Sequence, residues 1–284
     1  MSAPSPIGVF DSGYGGLSML RELRRALPQT DFTYLGDAGR APYGGRDVET
    51  ILDFAEQCVE RLFDEGCRVV IVACHTVSCV ALRHLQRLHR GERRVLGVTI
   101  PAAEAAVRQT RGRIGFLGTA RTVASHTFRT EVRKLSTAVQ VVEVAAPLLA
   151  PIVEEAWEDS DIAHLAVARY VAALGEVDTI VLGCTHYPLL ARAFADVVPK
   201  EVAVLNPAPF LAERFADWLA RHPEFQSPGT GHLRVLCSGD GARFARHAAR
   251  FLGETPPPIE HVAEVKGRLA FCPEGHEPQG QVVR

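Results

Sequence analysis

The sequence predicts an α/β protein of two similar open-sheet lobes, related by internal duplication, with the active site in the cleft between them. Three observations carry that expectation. Apolar, strand-length runs alternate with helix-length amphipathic segments, the pattern of βαβ units and parallel sheets. Two of those runs end in matching phrases, VVIVACHTVS at 69–78 and TIVLGCTHYP at 179–188. A further pair, Ile7-Gly8 and Ile114-Gly115, opens strands at an offset of 107 (114 − 7), close to the 110 (184 − 74) that separates Cys74 from Cys184. Each cysteine would then stand at the carboxyl edge of its sheet, where open α/β sheets bind ligands, and the two thiols would flank the cleft.

Composition sets the outer limits. A chain of 284 residues, 47% hydrophobic and 23% charged, is long enough for two domains of ordinary size. Its formal charge of −2 argues against nonspecific attraction to nucleic acid or to an anionic membrane, since both need a basic excess. A small-molecule partner is the expectation. No stretch has the signal-peptide pattern and no apolar run approaches the roughly 20 residues of a spanning helix, so a cytoplasmic location is expected. Seven cysteines without small-scaffold spacing fit reduced thiols better than a disulfide framework.

In chain order, 7–10 is an apolar strand that breaks at Asp11-Ser12-Gly13-Tyr14-Gly15-Gly16 before a helix over 17–26. The glycines allow a ligand or another backbone to come close, although the loop lacks the lysine of a phosphate-binding P-loop. A strand at 32–35 leads to a turn-rich loop, 36–46, carrying Asp37, Tyr43 and Gly44, and a helix over 48–65 follows. Four β-branched residues, Val69 to Val72, read as a strand buried on both faces, because a one-sided strand would alternate polar with apolar. A helix over 80–88, a strand at 95–98 and an alanine-rich helix over 102–109 complete the first half. The second half opens at 114–119, reaches Cys184 at the end of its own buried run, and continues through a helix over 190–197 and a strand at 202–205. A further unit, with helices over 210–220 and 242–251 around a strand at 233–237, has no linker before it and should pack back onto one lobe.

Chemistry points to the cysteines. The thiolate is the reactive form, and an ordinary pKa near ~8.5 leaves it a minority at neutral pH, so each thiol needs a helix N-terminus or a proton acceptor. Asp11 could serve Cys74 if their strands are neighbours; His186 stands two residues beyond Cys184, and Glu154 or Glu155 could enter from the preceding helix. One protonated and one deprotonated thiol across a cleft suit removal of a proton from one face of a carbon and its return to the other, which is racemisation. Cys58, Cys67, Cys79, Cys237 and Cys272 read as small buried hydrophobes. A metal site from Cys74, His75, Cys184 and His186 lacks typical zinc spacing, and Cys272 and His276 are too isolated to help. His75 could line the site or cap the helix.

These residues closely resemble the glutamate racemases of the cofactor-independent aspartate/glutamate racemase superfamily. The likeness is carried by FDSGYGG at 10–16, APYG at 41–44, the ACHTVS loop, LGTARTVAS at 117–125, PIVEE at 151–155 and LGCTHYPLL at 182–190. It implies that the last unit joins the first lobe, giving 1–98 plus 207–265 for that lobe, 99–206 for the second and a polar tail over 266–284, and an isomerase that interconverts L- and D-glutamate for peptidoglycan and cell-wall synthesis, with no cofactor and no metal, acting as a homodimer. It also implies Cys74 and Cys184 as the acid/base pair, with Asp11 and His186 assisting one thiol each and Glu154 nearby. Asp11, Ser12, Tyr43, Gly44, His75, Thr76, Thr185 and His186 would meet the substrate. His75 stands where the family carries asparagine, and Asn206-Pro207 where it carries aspartate-serine. Two rival readings share the cleft: a racemase of another small acid such as aspartate or a hydantoin, and a non-catalytic ligand-binding or metal protein.

Overall fold

The computed structural model describes residues 5–227, 229–265 and 267–271. Eleven strands appear in it: β1 Ile7–Asp11, β2 Phe32–Gly36, β3 Val69–Val72, β4 Arg94–Gly97, β5 Arg113–Gly118, β6 Gln140–Ala145, β7 Thr179–Gly183, β8 Ala203–Leu205, β9 Leu233–Ser238, β10 Ile259–Val265 and β11 Arg268–Phe271. They form two sheets, ordered β11-β10-β9-β2-β1-β3-β4 and β6-β5-β7-β8. The order β2-β1-β3-β4 is thus written again as β6-β5-β7-β8. Every described pairing is parallel except the β10–β11 hairpin.

Register makes the repeat exact enough to compare residues. Ile7 pairs with Val69, and Ile114 pairs with Thr179. Cys74 lies five residues beyond its reference (74 − 69), and Cys184 lies five beyond its own (184 − 179). The two cysteines are therefore equivalent positions of two like sheets. The residue after each pairs off in the same way, so His75 answers to Thr185 and Thr76 to His186.

The central strands are covered on both faces. All residues of β1, β2, β3 and β7 are buried, as parallel strands under helices require. Each fully buried aliphatic side chain of β3 contributes up to about 1.5–3 kcal/mol, an upper figure because unfolded chains already bury some surface. The lobes also share one core. Leu17 and Leu20 of helix Leu17–Ala26 and Leu211 and Phe215 of helix Pro207–Ala220 lie in the same apolar cluster as Leu182 and Phe194 of the four-stranded sheet and its helices.

Three elements differ from the sequence reading. The helix expected over 80–88 is two, His75–Val80 and Leu82–Leu88, so the first begins directly at the residue after Cys74. The helix expected over 190–197 is preceded by a 3-10 turn, Tyr187–Leu190, and starts at Ala191, well beyond Cys184. The tail expected from 266 opens with β11, which folds back at Gly267 (φ 76°) and buries Leu269 beside Val262. Cys272, His276 and the rest of that tail lie outside the described residues. Among the described residues no helix is long and apolar enough to cross a membrane.

Candidate active site

A cleft of about 840 Å³ runs between the two sheets' carboxyl edges. Cys74, Cys184 and nine other sequence-predicted residues are placed within or against it. Ser12, Tyr43, Gly44, His75, Thr76, Glu154, Thr185 and His186 line it, whereas Asp11 is fully buried just behind. Glu155 is exposed and plays no part in the lining. A second cavity of about 380 Å³, near Leu27 and Phe225, is lined by no acid, base or thiol among the described residues.

The Cys74 half is compact. Ala73 donates its backbone N–H to Phe10 O at 2.8 Å, which brings the end of β3 beside Asp11. Cys74 Sγ lies 3.4 Å from Ser12 Oγ, and the side chain is only 6% exposed. Burial and then the nearby Asp11 carboxyl push its pKa up to about 12, against a small opposing pull from Ser12 and the Val77 backbone amide. Asp11 is itself raised, chiefly by burial, although His186 and the amides of Gly13 and Gly16 oppose the shift. This half thus favours a protonated thiol. His75 next to it is 2% exposed, has no hydrogen-bond partner on either ring nitrogen, and is pushed down to about 3 by burial. The ring does not cap the helix.

The Cys184 half is built on charge. Cys184 Sγ lies 3.8 Å from His186 Nδ1, and His186 Nε2 lies 3.2 Å from Glu154 Oε1. That last approach is close enough for an ion pair but is not aligned as a hydrogen bond. Burial would lower the His186 pKa, yet Cys184 and Glu154 together outweigh it and raise the ring to about 10. Glu154 resists burial in the same way and is held below its ordinary range by His186 and then Arg243. The α-helix after Cys184 starts at Ala191, too far along the chain to lend the thiol its N-terminus, and the imidazole is the charged neighbour instead.

Contacts across the cleft bring the halves into one unit. Thr185 Oγ1 donates to Asp11 Oδ2 at 3.5 Å, and Ser18 Oγ donates to the Thr185 carbonyl at 3.2 Å. A side chain on Gly15 would place its Cβ 2.3 Å from Thr185 Oγ1 and 2.7 Å from the His186 ring, which is why the loop needs glycine there. On the opposite wall, Thr76, Thr119 and Thr122 join their hydroxyls at 3.0, 3.2 and 2.8 Å. Gly44 packs on Thr119, and its carbonyl accepts from the Arg121 amide at 3.0 Å. The Tyr43 hydroxyl donates to the buried Asp37 carboxylate, leaving its backbone to face the cleft.

The threonine hydroxyls are donors that suit a carboxylate, and the sequence reading named only Thr76 among them. Thr119 and Thr122 were legible inside LGTARTVAS and Tyr14 inside FDSGYGG; Arg243, which lines the cleft with Tyr14, carried no signal of its own. Among the described residues no three His, Cys, Asp or Glu side chains are grouped to hold a metal ion.

Residues 7–214 match the Asp/Glu/Hydantoin racemase family. The chain belongs to that family. A glutamate racemase of Geobacter metallireducens is 39% identical over 252 residues, covering 87% of this chain and 92% of that relative. Among solved structures, the glutamate racemase isoform RacE1 of Bacillus anthracis superposes with a TM-score of 0.85 at 32% identity, covering 91% of this chain and 97% of the other. The glutamate racemase of Francisella tularensis in complex with D-glutamate also gives 0.85, at 26% identity, over 92% of this chain and 98% of that one. The fold is that of the Asp/Glu/hydantoin racemases, and the chain is an amino-acid racemase.

Proposed function

We propose that this racemase interconverts L- and D-glutamate with Cys74 and Cys184 as its two acid/base groups. The observation that carries the proposal is the pair of equivalent thiols lining one cleft. They differ in the way a two-base reaction needs. Cys74 is kept as a thiol by burial and Asp11, while Cys184 has a protonated imidazole at 3.8 Å to stabilise a thiolate.

With L-glutamate bound, the Cys184 thiolate takes the Cα proton, His186 sharing its charge with Glu154, and the Cys74 thiol delivers a proton to the opposite face. D-Glutamate leaves. From D-glutamate the steps reverse: Cys74 is the base, with Asp11 as its proton partner, and Cys184 the acid. Ser12, Thr76, Thr185 and the Tyr43–Gly44 backbone, with His75 beside Cys74, hold the carboxylates and the amino group. This reading places the protein in the cytoplasm, with D-glutamate consumed in peptidoglycan synthesis. A homodimer belongs to it as well, supported by exposed Trp157, Ile162 and Leu165 on the second lobe, and sedimentation of the purified chain tests that part.

The function is tested with purified protein and each enantiomer, followed by circular dichroism. Glutamate should lose its signal, and aspartate and hydantoins should turn over far more slowly. In D2O the early product should carry solvent deuterium at Cα while recovered substrate keeps its proton. Turnover of aspartate above glutamate, or rapid deuterium entry into unreacted substrate, would overturn the assignment.

A further inference from the structure

Glu154 is the last residue of helix Leu149–Glu154, and that helix ends in a strained turn. Ala156 donates its N–H to the Val153 carbonyl at 3.1 Å and Trp157 to the Ile152 carbonyl at 2.9 Å, a closing pattern that normally sets glycine at its left-handed position. Here that position is Ala156, with φ 59°, where a Cβ is unfavourable. The turn is tied from the other lobe. Arg250 of helix Gly241–Leu252 donates through Nη2 to the Val153 carbonyl at 3.0 Å and pairs with Glu158 Oε1 at 2.5 Å, so one guanidinium joins the helix end to the chain just beyond it. The next residue, Phe251, packs edge-to-face with the His186 ring, 5.2 Å between centroids at 73°. Consecutive residues of one first-lobe helix thus hold both members of a second-lobe pair: the backbone that carries Glu154 and the ring of His186.

We propose that Arg250 is a positioning residue that reaches across the lobe interface to fix the spacing of Glu154 and His186, so that the unit that ionises Cys184 is braced from the opposite lobe. The inference rests on the reading of Cys184 and His186 as the unit that acts on L-glutamate. Glu154 and His186 meet at 3.2 Å without an aligned hydrogen bond, so their attraction depends on distance. Without the guanidinium the turn at Ala156 relaxes, Glu154 moves off with its backbone, and His186 binds its proton less tightly. Because the proton that Cys184 gives up is the one His186 accepts, the thiolate becomes scarcer by a similar factor. The other groups facing His186 are Cys184 and Thr185 from its own loop, Asp11 of β1 through Thr185, and Tyr14, with His247 of helix Gly241–Leu252 stacked on it; Arg243 of that helix lines the same cleft. Arg250 touches none of them directly. Loss of its positive charge would by itself let the ring keep its proton to higher pH, so the direction of the shift separates positioning from charge.

The test is Arg250→Gln in the full chain. Imidazole nitrogen resonances of His186 are titrated, and elimination is measured from L- and D-configured glutamate analogues carrying a β leaving group. In that elimination one base removes the Cα proton as the Cα–Cβ double bond forms and the leaving group departs with its electron pair, so each enantiomer reports one thiol. The His186 midpoint should fall by about one pH unit, and elimination from the L analogue should fall by roughly 3–10-fold with the D analogue unaffected. Adding Ala156→Gly lets the turn close without strain and leaves every charge in place, so it should bring the midpoint part of the way back. Should Arg250→Gln not fold, the double variant carries the same titration, with its midpoint still below that of the parent. An unmoved or raised midpoint overturns the proposal, as does an equal loss on both analogues or on neither, or a midpoint that the glycine fails to restore. The same assays on Cys74→Ser and Cys184→Ser check the underlying reading separately: if those variants do not divide the analogues between them, the two-thiol assignment fails, while the titration still decides whether Arg250 governs His186.

Discussion

Two histidines follow the two equivalent cysteines, and they are in opposite states. The first loop reads Cys74-His75-Thr76 and the second Cys184-Thr185-His186, the same residue types in reversed order. Both rings are buried, 2% exposed for His75 and 8% for His186. Yet His75 is driven down to about 3 and His186 up to about 10. Burial is common to both and lowers both; what differs is partners. One position after the cysteine the ring begins a helix and meets no polar group, whereas two positions after it the ring has sulfur on one side and a carboxylate on the other. Duplication supplied equivalent thiols, and local order made them unequal.

The sharpest way to break this comparison is to remove one sulfur at a time. Cys74→Ser and Cys184→Ser should each lower racemisation by roughly 10³-fold or more, because in the proposed mechanism both groups act in every turnover and a hydroxyl is a far weaker acid and base. Their defects should nevertheless be distinct. Elimination from the D analogue should survive in Cys184→Ser and from the L analogue in Cys74→Ser. Racemisation of glutamate at near the parent rate in either variant would end the two-thiol mechanism.

A smaller effect, about 10–10²-fold, is expected from Asp11→Asn and His186→Asn, each removing the proposed proton partner of one thiol. Free L- and D-glutamate are equal in energy, so kcat/KM for the two must stay equal to one another in every variant. Asymmetry can show only in kcat and KM taken separately and in the isotope effects. The Cα-deuterium isotope effect should rise on D-glutamate in Asp11→Asn and on L-glutamate in His186→Asn. Equal changes on both enantiomers would mean that the two partners serve a shared function. The alkaline limb should also move: His186 holds its proton up to about pH 10, so His186→Asn should lose that limb while Asp11→Asn retains it.

Much of this asymmetry could be read in the chain before folding, and the part that could not has physical reasons. The buried run Val69–Val72 and its counterpart ending at Gly183 announced central parallel strands, and sequence order placed a thiol after each. Asp11 and His186 were identifiable because a strand end and a two-residue spacing are local. β6 was not read, since Gln140 and Glu143 interrupt its apolar pattern and no residue of this edge strand is fully buried. Nor could sequence show that Tyr43 spends its hydroxyl on Asp37, or that Tyr14, Glu154 and Arg243 from remote segments line one cleft. The second of these depends on how the last α/β unit packs back beside β2, a long-range choice, whereas the first joins residues only six apart.

The effect that vanishes at neutral pH belongs to His75, and it tests the comparison without any turnover. An unfolded histidine has a pKa near ~6.5, while the buried ring is pushed down to about 3, so between those values the unfolded chain binds the extra proton and the folded one does not. Stability attributable to this site is therefore complete above about pH 6.5 and is lost progressively as pH falls toward about 3. Each unit is worth about 1.4 kcal/mol, so the loss reaches several kcal/mol at the acid end, as an order of magnitude. His75→Asn cannot titrate there. Urea unfolding of the parent and of His75→Asn across pH 7 to 4 should give a stability difference that is flat near neutrality and turns in favour of the variant as pH falls. For His186→Asn the sign reverses, because the raised His186 pKa adds stability that is present below about pH 6.5 and lost as pH rises through about 10. That variant should be at its greatest disadvantage in acid and should recover toward the parent in alkali. Two difference curves of the same slope would mean that the rings share one environment, and the reversal of order after the cysteines would then have no electrostatic consequence.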